Sequence, residues 1–310
     1  MGRLEKNNKN TEALVTFKNV SKSFGATKAL IDCNIEFKKG EIHSLVGENG
    51  AGKSTLGKII LGAYRLDSGQ TNIDGEKIAI NSPGQAVKIG LVGISQELSL
   101  LPSRTVVDNI AMGRESTFGI FVSAKNTKEK VLEVMERFNL YVKPDAIVGS
   151  LSVAEQQKVE ILRALNSNAR LIVFDEPTAR LASNETEQLH SLVKSLANNG
   201  TTIVYISHFL DEVLSISNRV SLLRNGRLIR TNQAKDETKK SLIEGMTGKE
   251  EGDLFPQIKQ VDESSETILK INNLTRKNEF QDISFEIKKG EIVGLAGLVG
   301  SGRSELAHTI

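Results

Sequence analysis

Nine residues, GENGAGKST from Gly47 to Thr55, constrain this chain more than any other stretch. They satisfy G-x-x-x-x-G-K-[ST] at every fixed position. Such a loop works where a buried strand ends and a helix begins, because the first N–H groups of the helix then face an anion with the helix dipole behind them. The flanks agree: EIHSLV reads as a buried strand and TLGKIILGAY as a helix. Gly47, Gly50 and Gly52 let backbone N–H groups crowd around phosphate oxygens, and Glu48, Asn49, Ala51 and Thr55 complete the nucleotide-contacting stretch. Lys53 reaches the β- and γ-phosphates, and Ser54 offers a hydroxyl to Mg²⁺. The expected fold class is α/β.

Further segments follow in a fixed order. LIVFDEP, Leu171 to Pro177, is an apolar run suited to a parallel strand buried on both faces, ending in two carboxylates. Beside a phosphate loop, Asp175 is placed to hold the Mg²⁺ shell and Glu176 to polarise an attacking water. Alone, an apolar strand ending in acids is more often a strand meeting solvent; its place after the loop reverses that reading. Gln96 in GISQELSL and His208 in TTIVYISHFLDEV each follow another strand-like run. Glutamine offers a carbonyl oxygen to metal or water, and histidine bonds a γ-phosphate or orients the water.

Phosphate loop, Gln96, LSVAEQQ, DEP and a strand-end His208, in that order, resemble an ATP-binding cassette (ABC) ATPase. The resemblance implies a P-loop NTPase cassette with a mostly parallel core sheet, an antiparallel β subdomain and a helical subdomain, acting on ATP with Mg²⁺. It implies Glu176, His208 and Gln96 as catalytic residues and Ser54, Gln96 and Asp175 as Mg²⁺ contacts. It places Leu151, Ser152, Val153, Ala154 and Glu155 where the family carries its LSGGQ signature, which completes the ATP site of a second cassette. Phe24 matches the aromatic that stacks on adenine; without that alignment it is equally well a core residue.

The tail repeats the start. FEIKKGEIVGLAGLVGSGRSE, Phe285 to Glu305, restates IEFKKGEIHSLVGENGAGKST at an offset of 250 positions. A second cassette is expected to begin here and to break off at Ile310, from a parent of about 500 residues by doubling the repeat. Arg303 stands where the first copy has Lys53, and a planar guanidinium does not replace a compact ammonium. Tandem cassettes with GxxGxGR in the second resemble ATP-binding subunits of bacterial ribose, galactose and xylose importers, and QELSLLPSRTVVDNIAMGRE, Gln96 to Glu115, matches that family's pattern. The implied partners are transmembrane permease subunits, a second cassette in cis or a second copy, and, indirectly, a periplasmic or extracellular sugar-binding protein. The implied place is the cytoplasmic face of the membrane, peripherally bound. A nucleoside or a furanone is as compatible as a sugar.

Departures accompany the matches. Val153 and Ala154 replace two glycines and Glu155 replaces glutamine, which is expected to weaken this signature towards a γ-phosphate. Locally the change is harmless, since Ser152 and Glu155 form a capping box for the following helix. Ala182 in ARLAS stands where the family carries an acid or threonine. A weak signature here would face the weak loop of the second cassette, so the chain by itself is expected to hydrolyse ATP poorly. Two other readings stay open: a soluble tandem-cassette ATPase of translation or DNA maintenance, and a nucleotide-binding pseudo-ATPase.

Composition decides the rest. A net charge of +2 gives no basic tract for nucleic acid. Cys33 is the one cysteine, so there is no disulfide framework. No apolar run approaches about 18 residues, so membrane contact is expected through a partner. Residues 1–12 read as disordered, 13–248 as the first cassette with a helical subdomain at about 97–166, 249–266 as a linker and 267–310 as the start of the second cassette. Leu14 to Gly93 reads as alternating strands and helices, NTKEKVLEVMERFNL as a helix, and Arg219 to Thr231 as a hairpin around Asn225-Gly226.

Overall fold

The structure is a computed structural model that describes residues 12–94, 99–118, 121–179, 181–248, 261–262, 264–277, 279–297 and 300–310. These fall into two compact units, before and after the stretch 249–260. The first unit opens with a long hairpin, β1 (Ala13–Phe24) and β2 (Thr27–Lys38), followed by β3 (Ile42–Val46) and α1 (Lys53–Ile60). Next come β4 (Ser68–Ile73), β5 (Glu76–Lys77), α2 (Pro83–Lys88) and β6 (Leu91–Ile94). The sequence reading of alternating strands and helices up to Gly93 is therefore corrected. Val15 and Phe17 on β1, and Cys33, Ile35 and Phe37 on β2, are buried at alternate places along paired strands, a period-2 pattern that sets an antiparallel sheet with one face on the core.

The middle of the unit is helical. It contains α3 (Val106–Ala111), a short ribbon of β7 (Thr117–Phe118) and β8 (Phe121–Val122), α4 (Ala124–Arg137) and α5 (Val153–Asn166). Thr105 and Asp108 form a capping box at α3, and Val131 and Met135 turn one face of α4 into the core. The parallel sheet then resumes: β9 (Leu171–Asp175), α6 (Ser183–Asn198), β10 (Thr202–Ile206), α7 (Leu210–Ile216), β11 (Arg219–Arg224), β12 (Arg227–Gln233) and α8 (Lys239–Thr247).

Two sheets result. One is antiparallel, in the order β2-β1-β4-β5; the other has six strands, β12-β11-β3-β10-β9-β6, parallel except for β12. All five residues of β3 and all five of β10 are buried, as central strands covered on both faces require. Asn225 and Gly226, at φ 49° and 76°, make the tight turn between β11 and β12. The carboxyl ends of β3, β9 and β10 lie side by side, and the site is built there.

The second unit contains an antiparallel pair, β13 (Thr267–Arg276) with β14 (Phe280–Lys288), and a terminal helix, α9 (Arg303–Thr309). Among the described residues, no helix is long and apolar enough to cross a membrane.

Candidate nucleotide site

Residues 47–52 join β3 to α1 and turn tightly against two neighbours. At Gly47 a Cβ would collide with the Leu223 carbonyl oxygen on β11. At Gly52, with φ 107°, it would lie 2.5 Å from the Ala29 carbonyl oxygen and 2.8 Å from the Leu30 side chain on β2. These two glycines are fixed by close approach, so the loop is clamped between the sheet and the β1–β2 hairpin. Glu48, Asn49 and Gly50 are exposed at its crest and Ala51 is buried beneath them. Gly226 N–H donates to Ala51 O at 3.1 Å, tying the loop to the β11–β12 turn.

The helix start is open to an anion. Gly52 caps α1 without a side-chain hydrogen bond, and the first turn carries no acid. Lys53, 5% exposed, folds back so that Nζ donates to Gly47 O at 2.7 Å and Glu48 O at 3.0 Å. Burial lowers its pKa, against the opposing charges of Glu176 and Asp175. An ammonium buried among carbonyl oxygens and facing two carboxylates is poised for anionic oxygens. Ser54 and Thr55 lie in the first turn of α1.

Asp175 closes β9, and its Oδ1 accepts from Ser54 Oγ at 3.1 Å. Burial pushes the Asp175 carboxyl up, partly countered by that hydrogen bond. Glu176 follows in the left-handed region at φ 50°, a conformation a non-glycine residue keeps only when its surroundings hold it. Its N–H donates to Ile206 O at 2.9 Å, and its Oε1 lies 3.3 Å from His208 Nδ1. The structure thus brings Lys53, Ser54, Asp175, Glu176 and His208 to one end of the sheet. Gln96 lies outside the described residues.

Phe24 sits at the tip of the β1–β2 hairpin and is 42% exposed. Its ring meets Tyr64 edge-on at 4.9 Å, and Lys22 Nζ stands 5.4 Å from its centroid. Because the same hairpin touches the loop at Gly52, an exposed aromatic stands on the loop's side of the molecule.

Leu151 and Ser152 lead into α5, with Ser152 as its N-cap, and Val153, Ala154 and Glu155 form its first turn. Ser152 Oγ accepts from Glu155 N at 3.3 Å, and Glu155 Oε2 accepts from Ser152 N at 3.1 Å and Ser152 Oγ at 3.0 Å. The Ser152 hydroxyl proton is therefore held by a carboxylate of its own helix. Val153 is 45% exposed.

A family model described as ABC transporter matches residues 30–179. Among solved structures, the ADP conformation of MJ1267, an ATP-binding cassette of an ABC transporter, matches with TM-score 0.69 at 30% identity, over 77% of this chain and all of that one. The chain belongs to the ABC transporter ATP-binding cassettes. Its fold is the ABC cassette fold, with a mostly parallel core sheet, an antiparallel β subdomain and helices, and it carries an ABC-type ATPase cassette. The chain is 40% identical over 299 residues to the ribose import ATP-binding protein RbsA 3 of Rubrobacter xylanophilus, covering 96% of this chain and 60% of that protein. It is 39% identical over 303 residues to the galactose/methyl galactoside import ATP-binding protein MglA of Clostridium perfringens, covering 97% of this chain and 58% of the relative. The chain spans about three-fifths of the length of these relatives.

The residues present fit Mg-ATP. Among the described residues no group of three or more His, Cys, Asp and Glu is gathered for a metal. Mg²⁺ needs no such cage: it keeps waters and takes one or two protein oxygens plus phosphates, and the Ser54–Asp175 pair offers two such oxygens. Sequence reasoning missed three features around the site. Gln157 Nε2 donates to Pro177 O at 2.7 Å and ties α5 to the loop after Glu176. His43, buried in β3, joins Glu41 at 3.2 Å and Ser221 at 2.7 Å. Thr178, Tyr205, Glu212 and His190 cluster behind Glu176. None of the three has a periodic or motif signal; each pairs residues far apart in sequence or on different elements.

Proposed function

We propose that the cassette binds Mg-ATP in the 47–55 loop and, when a second cassette completes the site, hydrolyses it to drive import of a monosaccharide through a membrane permease. The observation that carries the reading is the division of labour between adjacent carboxylates: Asp175 faces Ser54 at 3.1 Å, whereas Glu176 faces His208 at 3.3 Å. One is directed to the metal position and the other to the water. The import role rests on the names of the relatives, which are import ATP-binding proteins for ribose and galactose.

The chemistry follows from the geometry. Lys53 exchanges the Gly47 and Glu48 carbonyl oxygens for β- and γ-phosphate oxygens. The free N–H groups at the start of α1 receive the phosphates, and Phe24 stacks on adenine. Ser54 and Asp175 would hold Mg²⁺, which would neutralise charge on the phosphates. Glu176 polarises a water for in-line attack on the γ-phosphorus, and His208 fixes the Glu176 carboxylate and contacts the γ-phosphate. The resemblance alone assigns Gln96 to the metal and water. The Leu151–Glu155 segment serves a neighbouring cassette weakly, because Ser152 is committed to Glu155.

Glu176→Gln tests this reading. Single-turnover hydrolysis, with the chain in excess over ATP and a second cassette supplied, is expected to fall by about 10²- to 10⁴-fold while the ATP dissociation constant stays within about threefold. An unchanged rate removes Glu176 from the chemistry.

A further inference from the structure

Glu212 lies on α7, four residues beyond His208, and has no role in the chemistry above. Its Oε2 accepts from Thr178 Oγ1 at 2.8 Å and from Tyr205 OH at 3.3 Å. His190 Nε2, on α6, stands 3.6 Å from the same oxygen and 3.3 Å from Tyr205 OH. Thr178 is 5% exposed and Tyr205 fully buried. Both hydroxyls donate to the Glu212 carboxylate, the Thr178 bond at 2.8 Å being the closer of the two. Burial, together with the Glu212 charge, pushes the Tyr205 phenol up, so it stays a donor.

The placement matters because of Glu176. That residue sits at φ 50° and must be held from both sides. On its own N–H it is held by Ile206 O at 2.9 Å. Two residues beyond it, Thr178 is held by Glu212, which belongs to the helix that begins just after His208. One carboxylate therefore joins the segment carrying Glu176 to the segment carrying His208.

We propose that Glu212 is a positioning residue for hydrolysis: by clasping Thr178 and Tyr205 it fixes the spacing between Glu176 and His208. The proposal rests on the roles given to those two residues above. Removing the clasp loosens the Glu176 carboxylate without touching the phosphate loop, so the chemical step slows while nucleotide binding stays.

The test compares Thr178→Val, Thr178→Ser and Tyr205→Phe with the parent chain, reading single-turnover hydrolysis with a second cassette supplied and ATP affinity by calorimetry. Thr178→Val is expected to slow hydrolysis about 10- to 100-fold with affinity within about twofold. Thr178→Ser, which keeps the hydroxyl, restores most of the rate, and Tyr205→Phe gives a smaller loss than Val. If Thr178→Val hydrolyses like the parent while Glu176→Gln is inactive, the clasp is overturned and the site reading stands. Equal losses of rate and affinity in both Val and Ser variants mean general disruption and overturn the clasp as well. If Glu176→Gln remains active, the site reading and the clasp fall together.

Discussion

Ile42–Val46 is fully buried in the middle of a six-stranded sheet, whereas Ile292, Val293 and Leu295, at the same places in the repeat, are 85%, 40% and 43% exposed and lie in no strand. Around them the two copies agree. Both have an antiparallel hairpin before the segment, β1–β2 and β13–β14. Lys38 N–H donates to Glu41 Oε1 at 2.8 Å, and Lys288 N–H to Glu291 Oε2 at 2.7 Å. Gly52 and Gly302 both cap their helices at positive φ, against the carbonyl oxygens of Ala29 and Glu279. The hairpin, the cap and the helix start need only neighbours within a few tens of residues, so each copy forms them. The strand needs partners on both edges, and β3 takes them from β10 and β11, more than 150 positions further along. In the described second unit no strand flanks 292–296. Apolar character marks a segment that can be a buried strand, and pairing decides whether it is one.

The largest test of that contrast is truncation at equivalent places. Leu45→Ala removes a fully buried side chain of the core and is expected to cost about 2–5 kcal/mol of first-unit stability, whereas Leu295→Ala costs about 0.5 kcal/mol or less. Urea unfolding of both variants measures it; equal costs break the comparison. Next in size is the cation of each loop. Lys53→Ala is expected to weaken ATP binding by about 1.5–3 kcal/mol, while Arg303→Ala leaves both affinity and stoichiometry as in the parent. Calorimetry decides, and a loss of bound nucleotide on changing Arg303 would show a working second loop.

The smallest effect concerns pH. His43 is buried at a place where the repeat has Val293, and burial lowers its pKa, against the opposing hydrogen bond with Glu41. Its folded pKa thus lies below the unfolded value near 6.5, so the unfolded chain takes up the proton first. Stability is then complete above that pH and declines as pH falls through and below it. Burial pushes Glu41 up, but hydrogen bonds from His43 and the Lys38 N–H bring it below the usual range, which adds acid sensitivity at lower pH. Urea midpoints between pH 7.5 and 5 are expected to slope downwards in the parent and to flatten in His43→Gln; an unchanged slope would remove His43 as the cause.

Local chemistry explains what the sequence could disclose. The Asn225-Gly226 turn, the Ser152–Glu155 box and the α4 face of Val131 and Met135 each depend on residues within a turn or two of one another. The order of Lys53, Asp175 and His208 was legible because each ends or closely follows a recognisable apolar strand. The open antiparallel sheet was expected only through the family resemblance, since the long β1–β2 hairpin and β4 pair across residues 13–73 with repeated register shifts, leaving a blurred alternation. The Glu212 cluster was not legible, since its members sit on β10, α6, α7 and the loop after β9 and meet only in the finished fold.

The central position of β3 also sets an order of events during synthesis. Its two edges stay bare until Thr202–Ile206 and Arg219–Arg224 have left the ribosome. At about 5–20 residues per second that interval lasts on the order of ten to thirty seconds. Throughout it the loop that defines the protein has a helix start but no strand beneath it, the same condition in which Ile292 to Leu295 stand in the second unit. The phosphate cradle as described, with Gly47 packed on the Leu223 carbonyl and Ala51 tied to Gly226 N–H, therefore awaits residues up to Gly226.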